Sequence, residues 1–142
     1  MKLQPYLFFD GRAEEAAAFY RDALGAEVEM MIHFGDGPEP SDPERVPAGS
    51  DGKVMHMSLR IGGTVLLGSD GDCLGRANFD GFSLALEVAT DADAERVFAA
   101  LADGGKVGQE LITTFFTSRF GTVSDRFGVP WMLTVAQAQP NG

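Results

Sequence analysis

The apolar positions of the chain follow one short pattern, and the pattern is written twice. An apolar run, Leu3–Phe9, leads into Arg12–Leu24. There Ala16, Phe19, Tyr20, Ala23 and Leu24 recur at three- and four-residue spacing and predict one buried helix stripe. About 80 residues further on, Phe82–Val88 leads into Asp91–Ala102, where Ala94, Val97, Phe98 and Leu101 repeat that stripe. Extended segments follow each helix. In the first half these are Ala26–Phe34, Val54–Ile61 and Thr64–Ser69, the last two split by Gly62-Gly63 into a hairpin. In the second half they are Lys106–Ile112, Arg119–Ser124 and Val129–Val135, with a turn at Thr113–Ser118 that carries Phe115 and Phe116. The order βαβββ, twice, predicts an α+β fold of two modules, residues 1–70 and 82–136. A linker, 71–81, joins them, and the tail 137–142 is expected to fray. Each helix should pack on one face of a curved antiparallel sheet. The concave faces are then where a ligand would sit.

Helix ends are marked locally. Asp10 or Gly11 suits the first N-cap, Glu14 and Glu15 suit the positive end of the helix dipole, and Gly25 suits the stop. Thr90 or Asp91 suits the second N-cap, with Gly104-Gly105 as the stop. Residues Gly35–Gly52 hold four prolines and four glycines, and read as a long loop serving as a lid, an interface arm or a simple excursion.

Charge narrows the classes of partner. Twenty-one acidic residues stand against 11 basic ones, a net charge of −10, which argues against nucleic acid as a partner. No apolar run approaches the ~20 residues that span a bilayer, so no membrane partner is expected. The N-terminal run lacks a small-residue cleavage site and reads as no signal peptide. The one cysteine, Cys73, lies in the Gly-rich stretch Ser69–Gly75. It is expected to be exposed and reduced, which fits a cytoplasmic protein.

Along Val54–Ile61 the alternation puts Met55, Met57, Leu59 and Ile61 on one face and His56, Ser58 and Arg60 on the other. If the helix covers the apolar face, the polar row lines the concave side. His56 is then a candidate ligand contact or acid–base group, with a structural hydrogen bond to a neighbouring strand as the alternative. His33, beside the long loop, reads as a surface residue. Phe115, Phe116, Phe120, Phe127 and Trp131 can wall a pocket, although aromatics at strand spacing are mostly core. Phe116 is the candidate ligand contact among them. Arg119 can meet an anionic ligand or form a surface ion pair. No GxGxxG, Walker or GxSxG motif is present, and no Gly-rich strand-to-helix turn suits S-adenosylmethionine.

Several blocks together resemble the vicinal oxygen chelate superfamily of glyoxalase and bleomycin-resistance proteins, in its PhnB-like branch. They are Pro5-Tyr6-Leu7-Phe8-Phe9-Asp10-Gly11 with Phe19-Tyr20 and Leu24-Gly25, then His56, Ile61-Gly62-Gly63 and Ser69-Asp70-Gly71. The last runs from Arg119-Phe120-Gly121 through Asp125-Arg126-Phe127-Gly128-Val129-Pro130-Trp131-Met132. The resemblance implies the glyoxalase-like fold, homodimers and, in the enzymes, a divalent metal held by His, Gln or Glu from four strand positions. Here those positions fall on Pro5 (or Gln4 if the register slips by one), on Gly68–Ser69, on Ser83 and on Met132. At most one keeps a usual ligand, so no standard metal site and no cofactor are expected. The leading expectation is a homodimer that binds a small organic molecule through His56, Ser58, Arg60, Phe116 and Arg119. One alternative is a metal-dependent lyase, isomerase or dioxygenase with a displaced site using Gln4, His56 and an acid such as Glu87. The other is a non-catalytic sequestration protein. Asp125-Arg126-Phe127-Gly128 is read as a structural hairpin turn.

Overall fold

The structure is a computed structural model that describes residues 1–37, 49–71 and 76–137. The expectations for Cys73, for positions 38–48 of the long loop, for 72–75 of the linker and for the tail beyond 137 lie outside the described residues. The chain divides into two compact units, Met1–Asn78 and Phe79–Gly142.

In the first unit β1 (Tyr6–Phe8) leads to α1 (Ala13–Leu24), β2 (Glu27–His33), β3 (Val54–Ile61) and β4 (Thr64–Ser69). The sheet order is β1-β4-β3-β2. In the second unit β5 (Leu84–Val88), α2 (Asp91–Ala102), β6 (Lys106–Ile112), β7 (Phe120–Ser124) and β8 (Pro130–Val135) form the same arrangement, ordered β5-β8-β7-β6. The α+β expectation and the two βαβββ modules hold. The sheets are not purely antiparallel, however: β1 pairs β4 and β5 pairs β8 in parallel. The reason lies in the connections. A helical crossover returns the chain in its starting direction, so β2 runs with β1. Two reversals then give β4 that same direction, and it lies beside β1.

The strands at the module starts are shorter than the apolar runs suggest. Leu3 is almost fully exposed, and Phe82 is also exposed. Pro5 has no N–H to give a ladder, although its carbonyl accepts from the Leu67 N–H at 2.9 Å.

The α1 stripe buries Ala13, Ala16, Ala17, Tyr20 and Ala23, and sheet residues Leu7, Met57, Leu59 and Leu66 are buried with it. Gly25 ends α1 at φ 69°, a region open to glycine without strain, and its N–H reaches the Arg21 carbonyl at 3.0 Å. At the start of α1 the expected cap is wrong. The N-cap is Arg12, and its side chain makes no capping bond. A carboxylate from far along the chain does the work: Asp70 accepts from the N–H groups of Gly11 at 2.7 Å and Ala13 at 2.8 Å. Its second oxygen accepts from Val54 N–H at 2.7 Å. In α2 the cap is local, with the Thr90 hydroxyl accepting from Asp93 N–H at 3.1 Å.

Met55 also departs from expectation. Register gives Ile32 opposite His56 and His33 opposite Val54, so β3 has one residue more than its partner there. The bulge turns Met55 out of the buried face, and Met55 is exposed while Val54 and Met57 are fully buried.

Candidate functional site

Opposite α1, the first sheet presents His56, Ser58 and Arg60, as strand alternation requires. Register places Met30 beside Ser58, Ser58 beside Leu67, and Leu67 beside Tyr6, in one row across the sheet. The Tyr6 hydroxyl lies 3.0 Å from His56 Nδ1, and the two rings lie 5.6 Å apart. Phe8 packs against Tyr6 at 5.1 Å. Tyr6, Phe8 and Met30 are 39%, 56% and 48% exposed, which is unusual for large apolar side chains on a sheet face. Arg60 is held by the Glu29 carboxylate. The face is therefore an apolar floor bearing a phenol, an imidazole and a hydroxyl, with its guanidinium already neutralised.

Sequence reasoning missed Tyr6 and Phe8 as members of this group. The alternation in Tyr6-Leu7-Phe8 separates them from buried Leu7, but only the parallel β1–β4 pairing brings them beside β3.

The second unit splits the predicted aromatic cluster. Phe127 and Trp131 are buried, and the Trp131 indole donates to Asp125 at 2.9 Å. Asp125 also accepts from Phe127 N–H and Val129 N–H, which makes it the structural centre of the β7–β8 turn. Phe116 is half-exposed and meets Phe120 edge-on at 5.8 Å, with Phe115 wholly exposed beyond it. Arg119 points to α2, where Asp91 and Glu95 each lie 3.4 Å away. Glu87 lies on β5 opposite Thr134.

His33 is more engaged than a surface residue. Its Nε2 lies 2.5 Å from Glu14 on α1, and its Nδ1 lies 3.4 Å from Asp36. The Glu14 hydrogen bond, with the charges of Glu14 and Asp36 behind it, raises the imidazole pKa above its ordinary 6.5, against a smaller effect of burial. A raised pKa means that this tie contributes fully below the unfolded value and fades as pH climbs through the folded one. In an NMR titration the His33 ring should therefore have its midpoint above 6.5, and Glu14→Gln should move that midpoint down. Identical midpoints in the two proteins would show that Glu14 is not the partner in solution.

The superfamily's metal does not fit the residues present. Pro5 offers no side-chain donor, and the Ser69 hydroxyl is occupied by Gly71 N–H at 3.0 Å. Met132 brings only a thioether to the final-strand position. Among the described residues no three His, Cys, Asp or Glu side chains converge.

Residues 1–134 match the family described as 3-demethylubiquinone-9 3-methyltransferase. The chain belongs to this family. It is 38% identical to Protein YjdN of Escherichia coli over 99% of both chains. It is similar in structure to protein PA1353 from Pseudomonas aeruginosa, at 40% identity and TM-score 0.83, covering 97% of this chain and 99% of that one. A putative 3-demethylubiquinone-9 3-methyltransferase, PhnB protein, from Bacillus cereus is 27% identical with TM-score 0.77, over 96% and 100%. A glyoxalase-related enzyme from Fulvimarina pelagi shares the fold at 18% identity and TM-score 0.62, over 100% and 93%. The family is thus PhnB-like, as the sequence blocks imply, and a glyoxalase-related enzyme shares its fold. No helix is long and apolar enough to cross a membrane among the described residues.

Proposed function

We propose that the chain binds a small, flat, uncharged organic molecule on the face of its first sheet opposite α1. The observation that carries this reading is the hydrogen-bonded Tyr6–His56 pair set among exposed Phe8 and Met30. Exposed aromatic side chains offer stacking area, and a phenol, an imidazole and a hydroxyl can orient a ligand's polar edge. Ser58 completes the polar row. Arg60, already paired with Glu29, serves the rim and does not need an anion. Phe116 and Arg119 lie in the second unit, one at its aromatic edge and the other beside the start of α2.

The family description names a methyl transfer. Such chemistry draws its methyl group from a nucleoside-bearing sulfonium, which a strand-to-helix turn with free N–H groups would cradle. At α1 those N–H groups of Gly11 and Ala13 go to Asp70, and at α2 Thr90 fills the first turn. The described residues do not fit that donor.

The reading includes a homodimer, because exposed apolar side chains at this density are costly to leave to water. Light scattering at micromolar concentration should give twice the chain mass.

The binding test uses 2-naphthol as a neutral flat probe and follows amide and imidazole NMR signals. Perturbations should centre on Tyr6, His56 and Ser58. His56→Ala should weaken binding severalfold and leave the thermal midpoint almost unchanged, since the Tyr6 hydroxyl is exposed and water can replace its partner. A large loss of stability with unchanged affinity would make His56 part of the scaffold and end this reading.

A further inference from the structure

The second unit holds a cavity of about 440 Å³ that the first-sheet site does not use. That volume is within the range of small-molecule pockets. It lies where β6 and β8 begin and β7 ends. Register sets Lys106 beside Ser124, and Ser124 beside Pro130. Ser83, Gly108, Thr122 and Trp131 also line it.

Four polar side chains here have no partner among the described residues. Among the described residues, Lys106 has no carboxylate within ion-pair distance, and the hydroxyls of Ser83, Thr122 and Ser124 make no hydrogen bond. None is a buried orphan, so solvent reaches them. The neighbouring charges are committed elsewhere. Asp125 serves Phe127, Val129 and Trp131, and Arg126 is joined to Asp103 at 3.3 Å. In a chain with 21 acids and 11 bases, an ammonium that has no ion-pair partner among the described residues and lines a cavity with three such hydroxyls stands out.

Gly108 keeps the space open. It is the extra residue where the β6–β7 register slips between Val107 and Gln109. A Cβ there would stand 2.7 Å from the Thr122 hydroxyl oxygen.

We propose that this cavity binds the carboxylate of a small organic acid. Lys106 supplies the counter-charge, and Ser83, Thr122 and Ser124 donate hydrogen bonds to the oxygens. One cation balances one negative charge, so a monoanion suits the site better than a dianionic phosphate. Val107 and Pro130 give the acid's carbon skeleton an apolar wall. The proposal is independent of the first-sheet site and shares no residue with it. The chain's net charge of −10 repels anions at long range, so saturable binding of an acid would report a local site.

The test titrates the full chain with 4-phenylbutyrate and with its neutral counterpart, 4-phenylbutanol, by calorimetry and by the fluorescence of Trp131, the chain's one tryptophan. The acid should bind saturably and about tenfold tighter than the alcohol. Lys106→Met should erase that preference, and Ser124→Ala should reduce it while keeping the charge. Gly108→Ala should weaken both ligands. Equal affinity for acid and alcohol in the natural chain, a preference that survives Lys106→Met in a folded variant, or no saturable binding of the acid would each overturn the proposal. Should Lys106→Met not fold, an undiminished preference in Ser124→Ala combined with Thr122→Val would overturn it instead.

Discussion

Replacing Asp70 by alanine should lower the thermal midpoint of the chain by about ten degrees, on the scale of about three degrees per kcal/mol for a domain of this size. Asp70 is 2% exposed, and its two oxygens take three backbone N–H groups: Gly11 and Ala13 at the start of α1, and Val54 at the start of β3. Alanine leaves all three without their acceptor. A buried donor stranded in this way costs ~1–3 kcal/mol, and the three are close enough to relax partly together, so ~3–4 kcal/mol is expected in total. Asp70→Asn should be milder. Its amide oxygen can keep the α1 pair while its NH2 opposes the Val54 N–H. Urea unfolding should show a lower midpoint at unchanged slope in both variants, ordered Ala below Asn below the natural chain. A Cm for Asp70→Ala within error of the natural chain would show that α1 is capped by other means.

Gly105→Ala should rank with it, although the backbone there needs no special dihedral. A Cβ on Gly105 would stand 2.3 Å from the Ser124 carbonyl oxygen and 3.0 Å from the Asp125 Cα. Both are backbone atoms, and no side-chain rotation can relieve them. The start of β6 would have to separate from the end of β7, undoing the Lys106–Ser124 pair. Overpacking that a core can absorb costs ~1–3 kcal/mol, and this clash belongs at the upper end or beyond. Gly63→Ala, in the β3–β4 turn, is the matched control, because nothing lies within 4 Å of its added Cβ. Its unfolding free energy should stay within about 0.5 kcal/mol of the natural chain's. Equal stability of the two variants would mean that the β6–β7 junction opens freely. The same substitution should also loosen the Lys106 cavity, so its affinity for 4-phenylbutyrate should fall with its stability.

Local periodicity determined the elements by itself. The bounds of β3, β4, α2 and β6 follow directly from alternation, from the i, i+3, i+4 stripe and from glycine punctuation. The doubled order was legible for the same reason, and so was the shared face of His56, Ser58 and Arg60, because each signal spans only a few residues. The PhnB-like family and the fold also followed from sequence blocks, since those blocks mark turns and helix ends that recur with the fold.

Contacts between distant positions needed the tertiary structure. Asp70 caps a helix 57 residues before it, and no local rule finds an N-cap at that separation. Tyr6 meets His56 only because two chain reversals return β4 in the direction of β1. Met55 left the apolar face through a bulge, which depends on how many residues the partner strand supplies. The basic residues show the same division. Arg119 and Lys106 look alike in the sequence, yet one is claimed by Asp91 and Glu95 while the other has no ion-pair partner among the described residues and lines a cavity. Charge availability depends on which acids folding brings within a few ångströms, and that is decided by packing and register together.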